Sequence, residues 1–179
     1  MKKIITFILT LILALGATLG LASCDEEGKR TLLGLTFELT DDFEERTYSG
    51  YTYSFSNGEA EFLIAAMSYQ QLEESTYDNM PDPWPTNVYD YSRHFVIVNG
   101  IGLSHWEYDE EENVAMVKHV FEYTGEDAMY MEDEYVHYVM MDNGEAIYFI
   151  TYSCKIDYRD KYEPLFNKWA SELELEKVR

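Results

Sequence analysis

Cationic side chains are scarce in this chain. Thirteen Lys and Arg stand against 34 Asp and Glu, a formal net charge of −21. A nucleic-acid backbone is held by clustered Lys and Arg, so nucleic-acid binding is disfavoured. Adsorption to anionic lipid through a polybasic patch is disfavoured for the same reason. Catalytic signatures are missing too: there is no H-E-x-x-H, G-x-S-x-G, Walker loop or C-x-x-C. With 34 acids a carboxylate pair can be drawn anywhere, so a glycosidase has nothing specific to rest on. A non-enzymatic protein without cofactor is expected, and a hydrolase with an unrecognised site is the other option. Low-complexity tracts and long linkers are absent, and 179 residues suit one domain. What is abundant is apolar: 46% hydrophobic and 16% aromatic residues are too many for a disordered acidic tail.

The longest apolar run lies at the start. Lys2 and Lys3 precede an almost unbroken stretch from Ile4 to Leu19, closed by Leu21-Ala22-Ser23-Cys24. A membrane-spanning helix needs about 20 apolar residues, and this run of roughly 16 falls short. The layout is that of a secretory signal peptide. Its last four residues resemble the bacterial lipobox, in which a Leu and two small residues precede an obligatory Cys. By that resemblance residues 1–23 are the signal peptide and Cys24 becomes the lipidated first residue. A single acyl chain anchors weakly, and a diacylglyceryl Cys supplies two. The expected location is therefore the extracytoplasmic side of a cell membrane or envelope. Loss of Lys2 and Lys3 leaves eleven cations against 34 anions, a net charge of −23. Cys154 is then left without a partner for an internal disulfide. In an apolar strand it reads as a buried, inert thiol.

Residues 24–30 read as the lipidated Cys and a short acidic tether reaching at most about 20 Å, and 31–179 as one α+β domain. Leu35, Phe37 and Leu39 alternate with polar residues as in a half-buried strand. Asn57-Gly58 and Asn143-Gly144 each separate two strand-like runs, which predicts two hairpins with type I′ turns. The second hairpin, Tyr135–Met141 with Glu145–Cys154, is apolar on both faces, so it is covered on both sides or lines a pocket. Phe95-Val96-Ile97-Val98 reads as a strand ending at Asn99-Gly100, with Ile101–Tyr108 as its partner. Val114–Tyr123 is a further strand. Gln70–Glu74 allows a helical turn, and Pro81, Pro83 and Pro85 predict a loop over 80–86. One helix is expected near the end, capped by Asp157 or Asp160, with Pro164 in or near its first turn. Tyr158, Tyr162, Leu165, Phe166, Trp169 and Leu173 form its apolar stripe.

The C-terminal part carries a family likeness. Tyr148-Phe-Ile-Thr-Tyr152 leads into Tyr162-Glu-Pro-Leu-Phe166, then Trp169, Ser171 and Leu173-Glu-Leu. Gly34-Leu-Thr-Phe-Glu-Leu opens the domain on the same plan. This resembles the PsbP-like superfamily. The resemblance implies an α-β-α sandwich around an antiparallel β-sheet, with the C-terminal helix packed on the sheet. It also implies a small exported non-enzyme, and it brings no catalytic residue.

Three features are candidates for function. Trp84, Tyr89 and Tyr91 lie on or beside the Pro-stiffened loop, where exposed aromatics make good partner anchors; alternatively the loop folds back and Trp84 plugs a sheet edge. His119 and His137 face each other if the chain turns near Asp127, and would bind Zn²⁺ or Cu²⁺ with one carboxylate; alternatively both are packed in the core. Glu110-Glu111-Glu112 and Glu132-Asp133-Glu134 offer clustered oxygens for Ca²⁺ without EF-hand spacing, or are solvated turns. The expected function is a lipid-anchored envelope protein whose acidic domain binds a protein or glycan partner. The alternative is a lipoprotein handling Ca²⁺, Zn²⁺ or Cu²⁺.

Overall fold

The computed structural model describes residues 29–74 and 85–178. Residues 1–23, expected as the signal peptide, Cys24, residues 25–28 of the expected tether and Trp84 lie outside the described residues. In chain order the elements are β1 (Lys29–Leu32), β2 (Leu35–Glu38), β3 (Glu44–Arg46), β4 (Tyr53–Ser56), β5 (Ala60–Ser68), α1 (Tyr69–Glu74), α2 (Val88–Val98), β6 (Trp106–Asp109), β7 (Val114–Phe121), β8 (Glu134–Asp142), β9 (Ala146–Lys155), α3 (Arg159–Ser171) and β10 (Glu174–Leu175). β1 takes in Lys29 and Arg30, which the sequence assigns to the tether.

Seven strands form one antiparallel sheet in the order β3-β4-β5-β9-β8-β7-β6. A small sheet, β1-β2-β10, lies apart and ties the last strand to the second. Period-2 alternation sends the two halves of each central strand to opposite faces. Tyr135 and Val139 of β8, with Ile150 and Tyr152 of β9, join Tyr162, Phe166 and Trp169 of α3 in one buried cluster. Met140 of β8 joins Ala115 and Val117 of β7 and Val88 and Val96 of α2 in a second. The hairpin that is apolar on both faces is thus covered on both: α3 on one side, α2 on the other. The result is an α+β sandwich around an antiparallel sheet, as the sequence predicts.

Three local expectations are corrected. Phe95–Val98 is not a strand but the end of α2. Asn87 caps that helix, its Oδ1 accepting from Asp90 N at 2.8 Å. Asn99-Gly100 closes it: Gly100 N donates to Ile97 O and Ile101 N to Val96 O, with Gly100 at φ 69. That is a Schellman ending, which needs a left-handed residue just past the helix. Of the expected partner strand only Trp106–Tyr108 is extended, in a strand that runs on to Asp109.

Neither Asn-Gly pair forms a type I′ turn, because Gly58 and Gly144 have positive φ while Asn57 and Asn143 do not. Each Asn instead precedes the turn and caps it. Asn57 Oδ1 accepts from Glu59 N and Ala60 N, and Asn143 Oδ1 from Glu145 N and Ala146 N, at 2.9–3.1 Å. A single positive φ at the first central position is the II′ pattern. Both central residues are left-handed instead at Leu33 (φ 52) and Gly34 (φ 76), between β1 and β2.

α3 follows a 3-10 turn and starts at Arg159, with Tyr158 at the cap position and no side-chain cap hydrogen bond, so neither Asp157 nor Asp160 serves as one. Pro164 is the sixth residue of the helix, just past its first turn. The carbonyl it leaves unpaired belongs to Asp160, an exposed residue where water can take the bond.

Candidate functional site

α2 has eleven residues, about 16 Å of helix, against about 29 Å across seven strands. It packs over β6, β7 and β8. Beyond its C-terminal end the same sheet face forms the floor of a cleft of about 370 Å³. Leu63 of β5, Val136 and Tyr138 of β8, and Phe149, Thr151 and Ser153 of β9 make the floor. Phe95 and Asn99 at the end of α2 form one wall. Tyr48, Ser49 and Tyr51, between β3 and β4, form the other. Phe95 stands edge-on to Tyr138 and Phe149, with ring centroids 5.0 and 4.9 Å away, and so fixes the helix end against the floor.

Two carboxylates enter this mostly apolar space, Glu61 from β5 and Glu134 from β8. Glu61 Oε1 accepts from the Tyr48 hydroxyl at 2.8 Å. That acceptor raises the Tyr48 phenol above its usual range, with burial adding to the effect. Burial pushes the Glu134 carboxyl up; a hydrogen bond from Ser153 opposes the rise and the charge on Glu61 adds to it. Burial also raises Tyr51, helped by both carboxylates. Tyr138 is raised by burial and then by Glu134. Thr151 is 5% exposed and its Oγ1 has no protein partner. A buried hydroxyl left unpaired costs about 1–3 kcal/mol, so such a group commonly awaits a water or a ligand. Among the described residues no Lys, Arg, His or Cys lines the cleft. It therefore lacks a nucleophile set beside an imidazole or thiolate. It has what recognition of a small polar group on an apolar stem requires.

The residues singled out from the sequence lie elsewhere. Tyr89 and Tyr91 belong to α2, not to a loop. Tyr89 is 42% exposed and packs edge-on against Trp106 and Tyr108. Tyr91 is half-buried against the second core cluster. Two positions apart on a helix, they point to different faces. His119 and His137 do not meet. The register pairs His119 with Val136 and His137 with Lys118, which puts the two rings on opposite faces of the sheet. His119 instead meets His105, ring centroids 5.4 Å apart. His137 is 1% exposed, and burial holds its imidazole neutral down to about 4. Among the described residues no group of three or more His, Cys, Asp or Glu is placed to hold a metal ion. The second acidic run is divided: Glu132 pairs with Lys155, Asp133 accepts from Tyr123 N at 2.9 Å, and Glu134 enters the cleft. In the first run Asp109 Oδ1 takes the Glu111 and Glu112 amides, a solvated turn. Cys154 is buried, and burial lifts its thiol to about 11, well away from reactivity.

The architecture is shared with solved structures. Cyanobacterial PsbP (CyanoP) from Synechocystis sp. PCC 6803 superposes with a TM-score of 0.53 at 12% identity, over 91% of this chain and 98% of that one. The fold is PsbP-like. A Bacteroides thetaiotaomicron protein aligns at a TM-score of 0.49 and 12% identity, over 85% of this chain and only 50% of that one. The Ran-binding protein Mog1p of Saccharomyces cerevisiae aligns at a TM-score of 0.44 and 9% identity, over 80% and 91% of the two chains. No protein-family model and no curated protein matches the sequence. Among the described residues no helix is long and apolar enough to cross a membrane.

Proposed function

We propose that this PsbP-like domain is a non-enzymatic binding module, held at the outer side of a membrane by a lipid on Cys24, and that it receives its protein or glycan partner at the cleft beyond α2. The supporting observation is the cleft itself: an open space of about 370 Å³ whose polar groups converge and whose Thr151 hydroxyl is unpartnered. The anchor rests on the lipobox-like Leu21-Ala22-Ser23-Cys24. With β1 starting at Lys29, five Cα steps separate Cys24 from the domain, about 17 Å at most. A domain so close to a bilayer meets other envelope components rather than diffusing solutes alone. Trp84 is proposed as a second anchor for the same partner.

The test is photo-crosslinking in intact cells. A benzophenone amino acid placed at Tyr48, on the cleft wall, is expected to capture a discrete partner. The same group at Asp160, exposed on α3, is expected to capture none. Mass spectrometry of the N-terminal peptide is expected to find a diacylglyceryl Cys24, and Trp84→Ala to weaken the Tyr48 product. Equal products from both positions would remove the cleft from the proposal, and an unmodified N-terminus would remove the anchor.

A further inference from the structure

We infer that the cleft beyond α2 selects an organic cation, an ammonium or guanidinium group on a carbon stem, with Glu134 and Glu61 taking the charge and the Tyr51 and Tyr138 rings the stem. This deepens the binding proposal above and rests on it.

The argument starts from an imbalance. Glu134 and Glu61 share one cleft, and no cation among the described residues lines it with them. Elsewhere in the described fold acids that face a neighbouring element do find partners: Glu38 of β2 binds Lys168 of α3, and Glu59 of the β4–β5 turn binds Lys161 of α3. A carboxylate partly withdrawn from water without a counter-charge is costly, and the cost falls when a cation arrives. The upward shift of Glu134 through burial records that cost.

The lining decides which cation. A metal ion wants several oxygens around one point. Glu61 and Glu134 stand on β5 and β8 with β9 between them, and Glu134 lies two residues along from the Glu61–Ser153–Val136 row, so their backbones are about 12 Å apart. No group of three metal-ligating side chains forms among the described residues. An organic cation has other needs, met here in order. Its N–H donors require acceptors: the carboxylates supply them at the cleft surface, and Thr151 Oγ1, covered by the lining of the empty cleft, supplies one more when that lining moves aside. Its stem requires apolar cover, and its charge is favoured over an aromatic face. The source is either a free amine or a Lys or Arg side chain of a polypeptide.

Calorimetry on the full chain in detergent tests this with four probes: 1,5-diaminopentane, an end-blocked Ala-Lys-Ala peptide, 1,5-pentanediol and CaCl₂. The wild type is expected to bind at least one of the two amines and to ignore the diol. Glu134→Gln is expected to weaken amine binding about tenfold, as loss of one charge-assisted hydrogen bond does. The near-isosteric Thr151→Val should weaken it several-fold while the ligand-free melting temperature holds or rises, since an unpaired buried hydroxyl is removed. Glu111→Gln removes the same charge from the solvated β6–β7 turn and should change affinity less than about twofold. A tighter peptide points to a polypeptide source, a tighter diamine to a free amine. Absence of binding by either amine to about 10 mM overturns the inference. So does an equal effect of Glu111→Gln and Glu134→Gln, or displacement of the amine by equimolar Ca²⁺. Crosslinking at Tyr48 that persists unchanged in Glu134→Gln would sink the cation inference while leaving the cleft as the binding site.

Discussion

At the scale of single residues, burial decides more than identity. His137 and Tyr152 sit opposite each other across β8 and β9, both almost fully buried, and neither the imidazole nitrogens nor the Tyr152 hydroxyl has a protein partner. Burial lowers the His137 pKa from 6.5 to about 4, Lys118 across on β7 deepens the shift, and Glu163 on α3 opposes it. The sign of the consequence follows. Above about 6.5 both folded and unfolded chains keep this ring neutral, and it contributes nothing to pH dependence. Between 6.5 and 4 only the unfolded chain takes up the proton, so stability drops as pH falls, by up to about 3 kcal/mol from this group. Urea titrations of wild type and His137→Phe at pH 7.5 and 5.0 check it. The wild type should lose about 2 kcal/mol more than the variant over that interval. Equal losses would mean that water or a local opening already solvates the ring.

At the scale of elements, legibility followed locality. The β8–β9 hairpin was readable because turn chemistry and strand alternation lie within about twenty neighbouring residues. The end of α2 reads as a strand because Phe95-Val96-Ile97-Val98 has strand composition, yet β-branched residues carry only a small helix-propensity penalty that packing overrides. The correct signals were present: Asn87 with Asp90 three residues on, and Val88, Tyr91, Ser92, Phe95 and Val96 at helical spacing. β1 was missed because its type I′ turn uses Leu33, a residue that seldom adopts positive φ. The cap of α2 makes a direct prediction. Nothing lies within 4 Å of a Cβ added at Gly100, so Gly100→Ala meets no clash and carries only the strain of an alanine at φ +69. A loss of about 1 kcal/mol is expected. Asn87→Ala should cost about the same by leaving the Asp90 amide unpaired. Thermal melts of the two single variants and the double variant check both, and additive losses are expected because the two ends are about 16 Å apart. Because α2 also forms a wall of the cleft, fraying of its C-terminal end is expected to loosen Phe95 and Asn99 first.

At the scale of the whole molecule, charge and shape come together at one place. The cleft draws on the β3–β4 loop, the end of α2 and three central strands, segments up to about a hundred residues apart, so no local pattern announced it. The sequence did carry half of the clue, since an apolar hairpin on both faces is either covered or open to a pocket, and here α2 covers one part of the face and leaves the other. The net charge supplies the rest. A chain at −21 repels itself, and several of its ion pairs, such as Arg46 with Glu44 and Lys168 with Glu172, are exposed pairs worth little. Screening should therefore relieve more repulsion than it removes attraction. Raising NaCl from about 20 to 500 mM shortens the Debye length from about 20 to 4 Å, and the melting temperature is expected to rise by several degrees. Association with a cationic ligand should respond in the opposite direction, its on-rate falling with salt as steering is screened. The two slopes together are diagnostic. A melting temperature that falls with salt would mean that ion pairs outweigh self-repulsion in holding the fold. An on-rate indifferent to salt would mean that the acidic field plays no part in bringing a ligand to the cleft.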